Sequence, residues 1–441
     1  MTPTAASAPA PLAAFCSDDL TGGTDLLGLY QAAGASAALF LQPPTGDDLE
    51  CHRGLDVIGV AGLARTPPPE QAHPEVSASL ARLRELGAPL VQYKVCSTFD
   101  SSPQIGNIGA ALRLGAQLFD QDIVPVVGGT PHLGRYCVFG NLFAATGTDQ
   151  GITRLDRHPS ASTHPTTPMT EAELARLFAT QAQVTTEPVD VHMLGALDAP
   201  DRIRKRLIAG EHDVLLLDAL TESHTATVGE ALWSYATERP PLFAVGAAGL
   251  TRGVTQAWQR HGTREPMALP PPAATSQLLV LAGSMSPITA RQLDHAEHRG
   301  FHRLGFRIDE PDASDHDVDD LIDRLRTLLR AGQSVIAAPR ADPKTGNQPT
   351  PQSARALTTR GLSRIARALR ETRVRTVVCG GDTSSVVARA LEVRTIAAIG
   401  DIAPAVPLCR VNRDHHPPLE MVFKGGQVGG ERFLERLRVR P

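Results

Sequence analysis

The chain has 441 residues, which at roughly 150 residues per domain predicts two or three domains with sizeable cores. Hydrophobic residues make up 42% and charged residues 20%, an ordinary composition that excludes disorder over most of the chain. The 43 lysines and arginines against 47 aspartates and glutamates leave a net charge of −4. No basic excess therefore favours a nucleic acid or an anionic membrane as partner.

The sequence carries no signal for a membrane or for export. The longest apolar runs, such as residues 277–282, fall far short of the ~20 residues that a bilayer requires. The first residues are rich in Ala, Pro and Thr and lack the pattern of a signal peptide, so we expect residues 1–11 to form a disordered tail. Six scattered cysteines without a Cys-x-x-Cys pair predict neither a zinc site nor disulfides. We therefore expect a cytoplasmic protein.

Short apolar runs alternate with helical patterns in the first part of the chain. In chain order, the predicted strands are residues 12–17, 36–41, 56–61, 89–95, 123–127, 214–218 and 242–245. The predicted helices are residues 24–33, 74–86, 171–183 and 226–236. This alternation is typical of a mainly parallel sheet with helices on both faces.

A second α/β pattern begins after residues 263–276, which hold four prolines and are interpreted as a linker. Its predicted strands are residues 277–282, 302–308, 334–338, 375–379, 394–399 and 420–423, and its predicted helices are residues 315–330 and 355–370. The charges of the arginine-rich last helix are interpreted as a solvated face. The fold class is thus α/β, with two domains of mainly parallel sheet at residues 12–262 and 277–441.

An acidic loop follows the first strand: Asp18 and Asp19 precede Thr21, two glycines and Thr24. Ligands bind at the carboxyl ends of strands in such sheets, where acids accept hydrogen bonds from substrate hydroxyls or take up a proton. The alternative is that Thr21 or Thr24 caps the next helix and the acids favour its dipole. Because the two acids are adjacent on an extended loop, we expect their side chains to diverge.

Lysine is rare, with four residues against 39 arginines, so each lysine draws attention. Lys94 ends a predicted strand and precedes Ser97 and Thr98, a pattern that suits the binding of an anion or a carboxylate. A surface lysine is the alternative.

Three loops rich in Gly and Ser follow strands of the second domain. They contain Ser284 and Ser286, then the run Gly380, Gly381, Asp382 and Thr383, and finally Lys424, Gly425 and Gly429. No G-x-x-x-x-G-K-[ST] and no G-x-G-x-x-G motif occurs. Together, however, the three loops favour a phosphate site built from backbone N–H groups, a helix N-terminus and one lysine.

Seven segments in order resemble the four-carbon acid sugar kinases, which include 3-oxo-tetronate kinases and threonate or erythronate kinases. They are SDDLTGGTD, YKVCSTFDSSPQIGNIG, HPTTPMTEAEL, VGAAGL, GSMSPITARQ, CGGDTS and FKGGQVG. The resemblance as a whole runs from about residue 15 to residue 437. The resemblance implies an N-terminal domain that binds the acid sugar, a C-terminal domain that binds ATP, and an active site in the cleft between them. ATP with Mg²⁺ would phosphorylate a hydroxyl of a four-carbon sugar acid.

The resemblance also assigns residues. Asp18, Asp19, Lys94, Ser97 and Thr98 match substrate positions, and the three loops of the second domain match ATP positions. We expect Asp19 or Asp18 to act as the catalytic base, with Asp19 favoured because it lies nearer the turn. The alternatives are a non-catalytic sugar-acid sensor and a lyase or isomerase of acid sugars. A small-molecule partner is expected, and self-association into a homo-oligomer is left open.

Overall fold

The computed structural model describes residues 9–145, 151–163, 167–308, 311–340 and 350–438. The chain divides into two compact units, Met1–Ala268 and Leu269–Pro441. Most of the predicted tail, residues 1–8, lies outside the described residues; Pro9 and Ala10 are exposed, whereas Pro11 is already buried. The division between the units falls within the segment predicted as a linker.

The first unit contains eleven strands and nine α-helices within its described residues. The strands are β1 (Ala13–Ser17), β2 (Ala37–Phe40), β3 (Val57–Ala61), β4 (Leu90–Lys94), β5 (Val124–Val127), β6 (Arg135–Val138), β7 (Asn141–Ala145), β8 (Ile152–Arg154), β9 (Thr186–Val189), β10 (Val214–Leu217) and β11 (Leu242–Gly246). The helices are α1 (Leu20–Ala32), α2 (Gly46–Cys51), α3 (Pro69–Glu85), α4 (Ile108–Phe119), α5 (Leu174–Ala182), α6 (Val191–Leu194), α7 (Ala199–Ala209), α8 (Glu222–Glu238) and α9 (Ala248–Arg260).

Eight of these strands form a parallel sheet in the order β2-β3-β1-β4-β11-β5-β10-β9. The four strands β1, β3, β4 and β11 are buried along their whole length, as expected for a sheet covered on both faces. Strands β6, β7 and β8 form a separate antiparallel sheet. After β1 the chain forms β2 and β3 on one side of that strand and then crosses to β4 on its other side, so a crevice for ligands is expected at the carboxyl end of β1.

The second unit contains seven strands and five α-helices within its described residues. The strands are β12 (Leu278–Ala282), β13 (His302–Arg307), β14 (Val335–Arg340), β15 (Arg375–Cys379), β16 (Val393–Ala403), β17 (Val406–Arg413) and β18 (His416–Lys424). The helices are α10 (Pro287–His298), α11 (Pro311–Arg330), α12 (Pro351–Ala368), α13 (Gly381–Ala390) and α14 (Phe433–Leu437).

The strands of the second unit have the order β13-β14-β12-β15-β18-β17-β16. Its first four pairings are parallel, and β17 runs antiparallel to both of its neighbours. The buried core of this unit includes Val280, Ile336, Val377 and Val422, one from each of four neighbouring strands. The predicted α/β class with mainly parallel sheets is confirmed.

The predicted linker is packed rather than free at its start. Arg264 forms an ion pair with Asp56, and the Met267 N–H donates to the Ala32 carbonyl oxygen at 2.9 Å. Beyond the division, the Asp401 N–H donates to the Pro270 carbonyl oxygen at 3.1 Å, within the second unit. Among the described residues, none of the helices is long and apolar enough to cross a membrane.

Candidate active site

Loops after three neighbouring parallel strands carry the charged side chains of the first unit's candidate site. Asp18 and Asp19 follow β1, Arg65 lies in the loop after β3, and Lys94 is the last residue of β4. Because β1 lies between β3 and β4 and all three are parallel, their carboxyl ends lie at one edge of the sheet. The fold thus brings together the predicted acids and lysine and adds an arginine that the sequence analysis missed.

Both acidic side chains bind the guanidinium group of Arg65. Its Nη2 and Nε donate to Oδ1 and Oδ2 of Asp18 at 2.7 and 3.0 Å, and its Nη1 donates to Oδ2 of Asp19 at 2.8 Å. The Cys96 N–H also donates to Oδ2 of Asp18, at 3.2 Å. The expectation that the two side chains diverge is therefore wrong, because one buried cation attracts both carboxylates.

Asp19 also caps helix α1. Its Oδ1 accepts a hydrogen bond from the Gly22 N–H at 2.8 Å, and its Oδ2 accepts one from the Thr21 hydroxyl at 2.5 Å. The expected capping residues were Thr21 or Thr24, but the Thr24 hydroxyl donates to the Thr21 carbonyl oxygen inside the helix. An aspartate at the N-cap satisfies backbone N–H groups that have no partner within the helix.

The two carboxyl groups differ in acidity although both are buried, at 5% and 3% exposure. For Asp18, burial disfavours the charged form and raises the pKa despite the opposing charge of Arg65. For Asp19, burial acts in the same direction, but Arg65, Lys94 and the hydrogen bonds from Thr21 and Gly22 together lower the pKa. Asp19 is therefore the more firmly ionised of the pair.

Lys94 is buried, with 4% exposure, and its ammonium lies beside the first turn of α1. Its Nζ donates to the Val95 carbonyl oxygen at 2.8 Å. A Cβ atom at Gly22 would stand 2.6 Å from Nζ, so the glycine leaves room for the ammonium. An ammonium carries three N–H donors, so Lys94 keeps donors for an anionic ligand.

Ser97 and Thr98 form a half-buried turn that begins three residues after Lys94. The Thr98 hydroxyl lies 2.9 Å from the Cys96 sulfur, which in turn donates to Oδ2 of Asp100 at 3.1 Å. Burial, together with the negative charge of Asp100, raises the pKa of the Cys96 thiol to about 11, so this cysteine is a neutral donor. The turn thus places two hydroxyl groups near the charged cluster in sequence and in the fold.

A third acid, Asp25, lies one turn further along α1 on the same face as Gly22. It is 8% exposed, and within the described part of the chain no group forms a hydrogen bond with its carboxylate. Burial raises its pKa to about 6, although Lys94 acts in the opposite direction. Asp25 is the last residue of the segment SDDLTGGTD, and the sequence pattern predicted no role for it.

In the second unit, the three predicted loops converge around Ser284. A Cβ atom at Gly380 would lie 3.3 Å from the Ser284 backbone nitrogen, and one at Gly426 would lie 2.5 Å from its hydroxyl. A Cβ atom at Gly283 would meet the Thr383 hydroxyl at 2.1 Å. Side chains at these positions would clash, so the glycines allow the loops after three strands to approach one another closely.

The N-terminus of α13 lies at this meeting point. Gly380, which precedes the helix, has φ of 120° and ψ of 134°, a conformation that side chains disfavour, and no side chain caps the helix. Because the N-cap residue is a glycine, it supplies no side-chain cap that would compete with an anion at the start of the helix. Asp382 forms an ion pair with Arg355 of α12 at 2.7 Å.

Lys424 was predicted to contact phosphate, but in the structure its ammonium is fully buried within the unit. Its Nζ donates to the Thr289 hydroxyl at 3.2 Å and to the carbonyl oxygens of Gly425 and Val428 at 3.0 and 3.3 Å. Burial lowers its pKa. In this conformation Lys424 holds the shape of the last loop rather than presenting its charge.

The last loop and the first loop are also fixed by side chains. The Gln292 amide nitrogen donates to the carbonyl oxygens of Val428, Gly429 and Gly430 at 2.9 to 3.1 Å. Ser286 caps α10 by accepting from the Ile288 N–H, and the Ser284 hydroxyl accepts from the Ser286 N–H. The loops are therefore preorganised by the unit itself.

Two families of known domains match the chain. The model of a sugar-binding N-terminal domain matches residues 13–254, and the model of a nucleotide-binding C-terminal domain matches residues 279–434. The two matches coincide with the two clusters of residues described above.

Relatives of assigned function match along almost the whole chain. A 3-oxo-isoapionate kinase of Paraburkholderia graminis is 35% identical, covering 97% of this chain and 94% of the relative. A 3-oxo-tetronate kinase of Pseudomonas fluorescens is 30% identical, covering 98% of this chain and 97% of the relative. A 3-oxo-tetronate kinase of Escherichia coli is 29% identical, covering 88% of this chain and 97% of the relative.

Solved structures share the fold. A Salmonella typhimurium protein described as a putative tRNA synthase is 25% identical and has a TM-score of 0.76, covering 96% of this chain and 98% of that one. A Haemophilus influenzae protein of the DUF1537 family is 23% identical with a TM-score of 0.66, over the same shares, and supports the fold alone. By its two matched domains and its full-length relatives, the chain belongs to the four-carbon acid sugar kinase family.

Proposed function

We propose that this kinase uses ATP to phosphorylate a hydroxyl of a four-carbon sugar acid of the 3-oxo-tetronate, threonate or erythronate type. The names of the relatives support a 3-oxo acid in particular, since 3-oxo-tetronate and 3-oxo-isoapionate both carry that group. A metabolic kinase needs a supply of ATP, which supports action in the cytoplasm.

The observation that carries this proposal is the convergence of three glycine-containing loops on Ser284 beside the uncapped start of α13. A Cβ atom at Gly283 or Gly426 would collide with the hydroxyl of Thr383 or Ser284, so the glycines let the loops meet at the helix N-terminus, where an anion is favoured. These features fit the phosphates of ATP. We assign ATP contacts to Ser284, Ser286, Gly425, Gly429 and residues 380–383, with Lys424 shaping the last loop.

On the substrate side, we assign the carboxylate of the sugar acid to Lys94, whose buried ammonium has donors to offer. We assign the hydroxyl groups to Ser97, Thr98 and the acidic pair Asp18 and Asp19. Arg65 is a positioning residue, because it binds both acids. These assignments require a substrate that is anionic at one end and hydroxylated along its length.

ATP supplies the phosphoryl group, and Mg²⁺ neutralises charge on its phosphates. In the described residues no group of three His, Cys, Asp or Glu side chains is arranged to hold a metal ion. We therefore propose that Mg²⁺ enters on the nucleotide rather than in a protein cage. The protein's own contribution is then to hold the phosphates, orient the sugar acid and accept one proton.

The test is ADP release by the full chain with ATP, Mg²⁺ and a panel of 3-oxo-tetronate, 3-oxo-isoapionate, threonate and erythronate. We expect one ADP per molecule of phosphorylated acid for at least one compound, with the product identified by mass. Consumption of an acid without ADP would indicate a lyase or isomerase. Binding of an acid without consumption would indicate a sensor. An exposed-surface variant, Lys205→Met, serves as the unaffected control.

A further inference from the structure

All four carboxylate oxygens of the acidic pair predicted as base are engaged in hydrogen bonds. Both oxygens of Asp19 accept hydrogen bonds, from Gly22 on one side and from Thr21 and Arg65 on the other. Both oxygens of Asp18 are bound by Arg65. A proton arriving on either carboxylate would have to displace one of these hydrogen bonds, so no oxygen of the pair is unoccupied.

Asp25 differs from the acidic pair in every one of these respects. Within the described residues no donor binds its carboxylate, yet the residue retains 8% exposure. It lies at position i+3 from Gly22 on α1, and Gly22 is the residue whose Cβ would touch the Lys94 ammonium. Asp25 therefore stands on the face of the helix that borders Lys94.

The charged groups that act on Asp25 come from two elements. Lys94, at the end of β4, favours its ionised form, and Asp19, at the start of α1, opposes it. With burial as the largest effect, the pKa lies at about 6, so the carboxylate is mostly ionised at neutral pH and is a stronger base than an ordinary aspartate. A sugar acid bound through Lys94 would thus lie near the carboxylate of Asp25.

From this geometry, and resting on the proposed function, we infer that Asp25 is the general base of the kinase. A carboxylate oxygen of Asp25 takes the proton from the substrate hydroxyl as its O–H bond breaks. The hydroxyl oxygen forms a bond to the γ-phosphorus of ATP. The bond from that phosphorus to the bridging oxygen breaks, and its electron pair leaves on the β-phosphate of ADP.

Asp25→Asn tests this assignment, because it removes the base without changing the size of the side chain. We expect kcat to fall by about 10²- to 10⁴-fold, with binding of the sugar acid and of ATP retained by calorimetry. In the wild type kcat should fall as pH drops through about 6, and this acidic limb should be missing from the residual activity of the variant. The comparison variant is Asp19→Asn, for which we expect a lower melting temperature because the helix cap is weakened.

The melting temperature of Asp25→Asn distinguishes a catalytic role of Asp25 from a structural one. The folded-state pKa of Asp25 lies above its unfolded value, so its ionised form destabilises the fold above about pH 6, and acidification towards pH 4 relieves this penalty. Asp25→Asn should therefore melt no lower than the wild type at pH 8, and any gain should shrink at acidic pH. If the wild type is active and the variant keeps more than about a tenth of kcat, or melts lower, the inference is overturned. If the wild type shows no activity with any acid, the proposed function itself fails.

Discussion

At the scale of single residues, the site is dominated by one arginine between two adjacent acids. Arg65 is 46 and 47 positions from its partners and lies in a loop, so no local pattern in the sequence links them. The sequence feature that could have predicted its role is its position in the loop after β3, a strand that pairs with β1. The positions of Asp18, Asp19 and Lys94 were predictable for that reason, since a strand end is visible as the end of an apolar run.

Replacing Arg65 with Met should destabilise the protein in a manner that depends on pH. Two buried carboxylates would lose their shared counter-charge, and breaking a buried ion pair from one side costs about 3–5 kcal/mol. Without the arginine both acids titrate at higher pH. The loss of stability should therefore be greatest near pH 8 and smaller near pH 5, where protonation removes the repulsion.

Urea unfolding of Arg65→Met and Arg65→Lys at the two pH values measures this effect. Lysine keeps the charge but cannot form the two parallel bonds to Asp18, so it should recover only part of the stability. Equal destabilisation at both pH values would contradict the charge argument. Such a result would mean that Arg65 contributes mainly through packing.

At the scale of elements, the apolar runs predicted the bounds of the central strands to within about two residues. Helices that contain glycines were not predicted. Helix α4 contains Gly109 and Gly115, residues that weaken a helix prediction. In the fold, a Cβ atom at Gly115 would lie 2.0 Å from the Phe243 ring of β11, so the helix needs this glycine in order to pack on the sheet. Tertiary packing here overrides local propensity.

Other elements were missed because their patterns are short or mixed. Strand β17 has a proline at its second position and alternates buried and exposed residues only in its second half. It also pairs antiparallel in a unit predicted to be mainly parallel. The hairpin sheet of β6, β7 and β8 has only half-buried strands. Neither pattern carries the continuous hydrophobic run that marks a central parallel strand.

The turn before α13 gives a prediction at this scale. Gly380 has φ of 120°, and a Cβ atom there would lie 3.1 Å from the Thr383 hydroxyl and 3.3 Å from the Ser284 backbone nitrogen. Gly380→Ala therefore strains the backbone and crowds the point where the loops meet. We expect KM for ATP to rise by about 10-fold or more, with the KM for the sugar acid unchanged. The matched control is Gly332→Ala, also at positive φ but with open space around its Cβ and outside the loops. An equal rise in both variants would show that backbone strain alone is responsible.

At the scale of the whole molecule, each unit has its own set of parallel strands and its own set of candidate site residues. The sugar-acid residues proposed here all lie before Ala268 and the nucleotide residues all lie after Leu269. The reaction nevertheless requires that the transferred phosphate reach the hydroxyl held by the first unit. Binding of each ligand is therefore expected to depend on separate residues, whereas turnover depends on both sets.

Ligand-induced stabilisation of the full chain can separate the two sets. A ligand at 100 times its Kd stabilises the fold that binds it by about 2.7 kcal/mol, which is readily seen as a rise in melting temperature. Lys94→Met should lose the rise caused by the sugar acid and keep the rise caused by a non-hydrolysable ATP analogue, because it removes one charge-assisted hydrogen bond of about 1.5–3 kcal/mol. Gly380→Ala should show the reverse. If Lys94→Met instead abolished the response to the nucleotide and left the response to the acid intact, Lys94 would belong to the phosphate site, and the division of roles between the units would have to be redrawn.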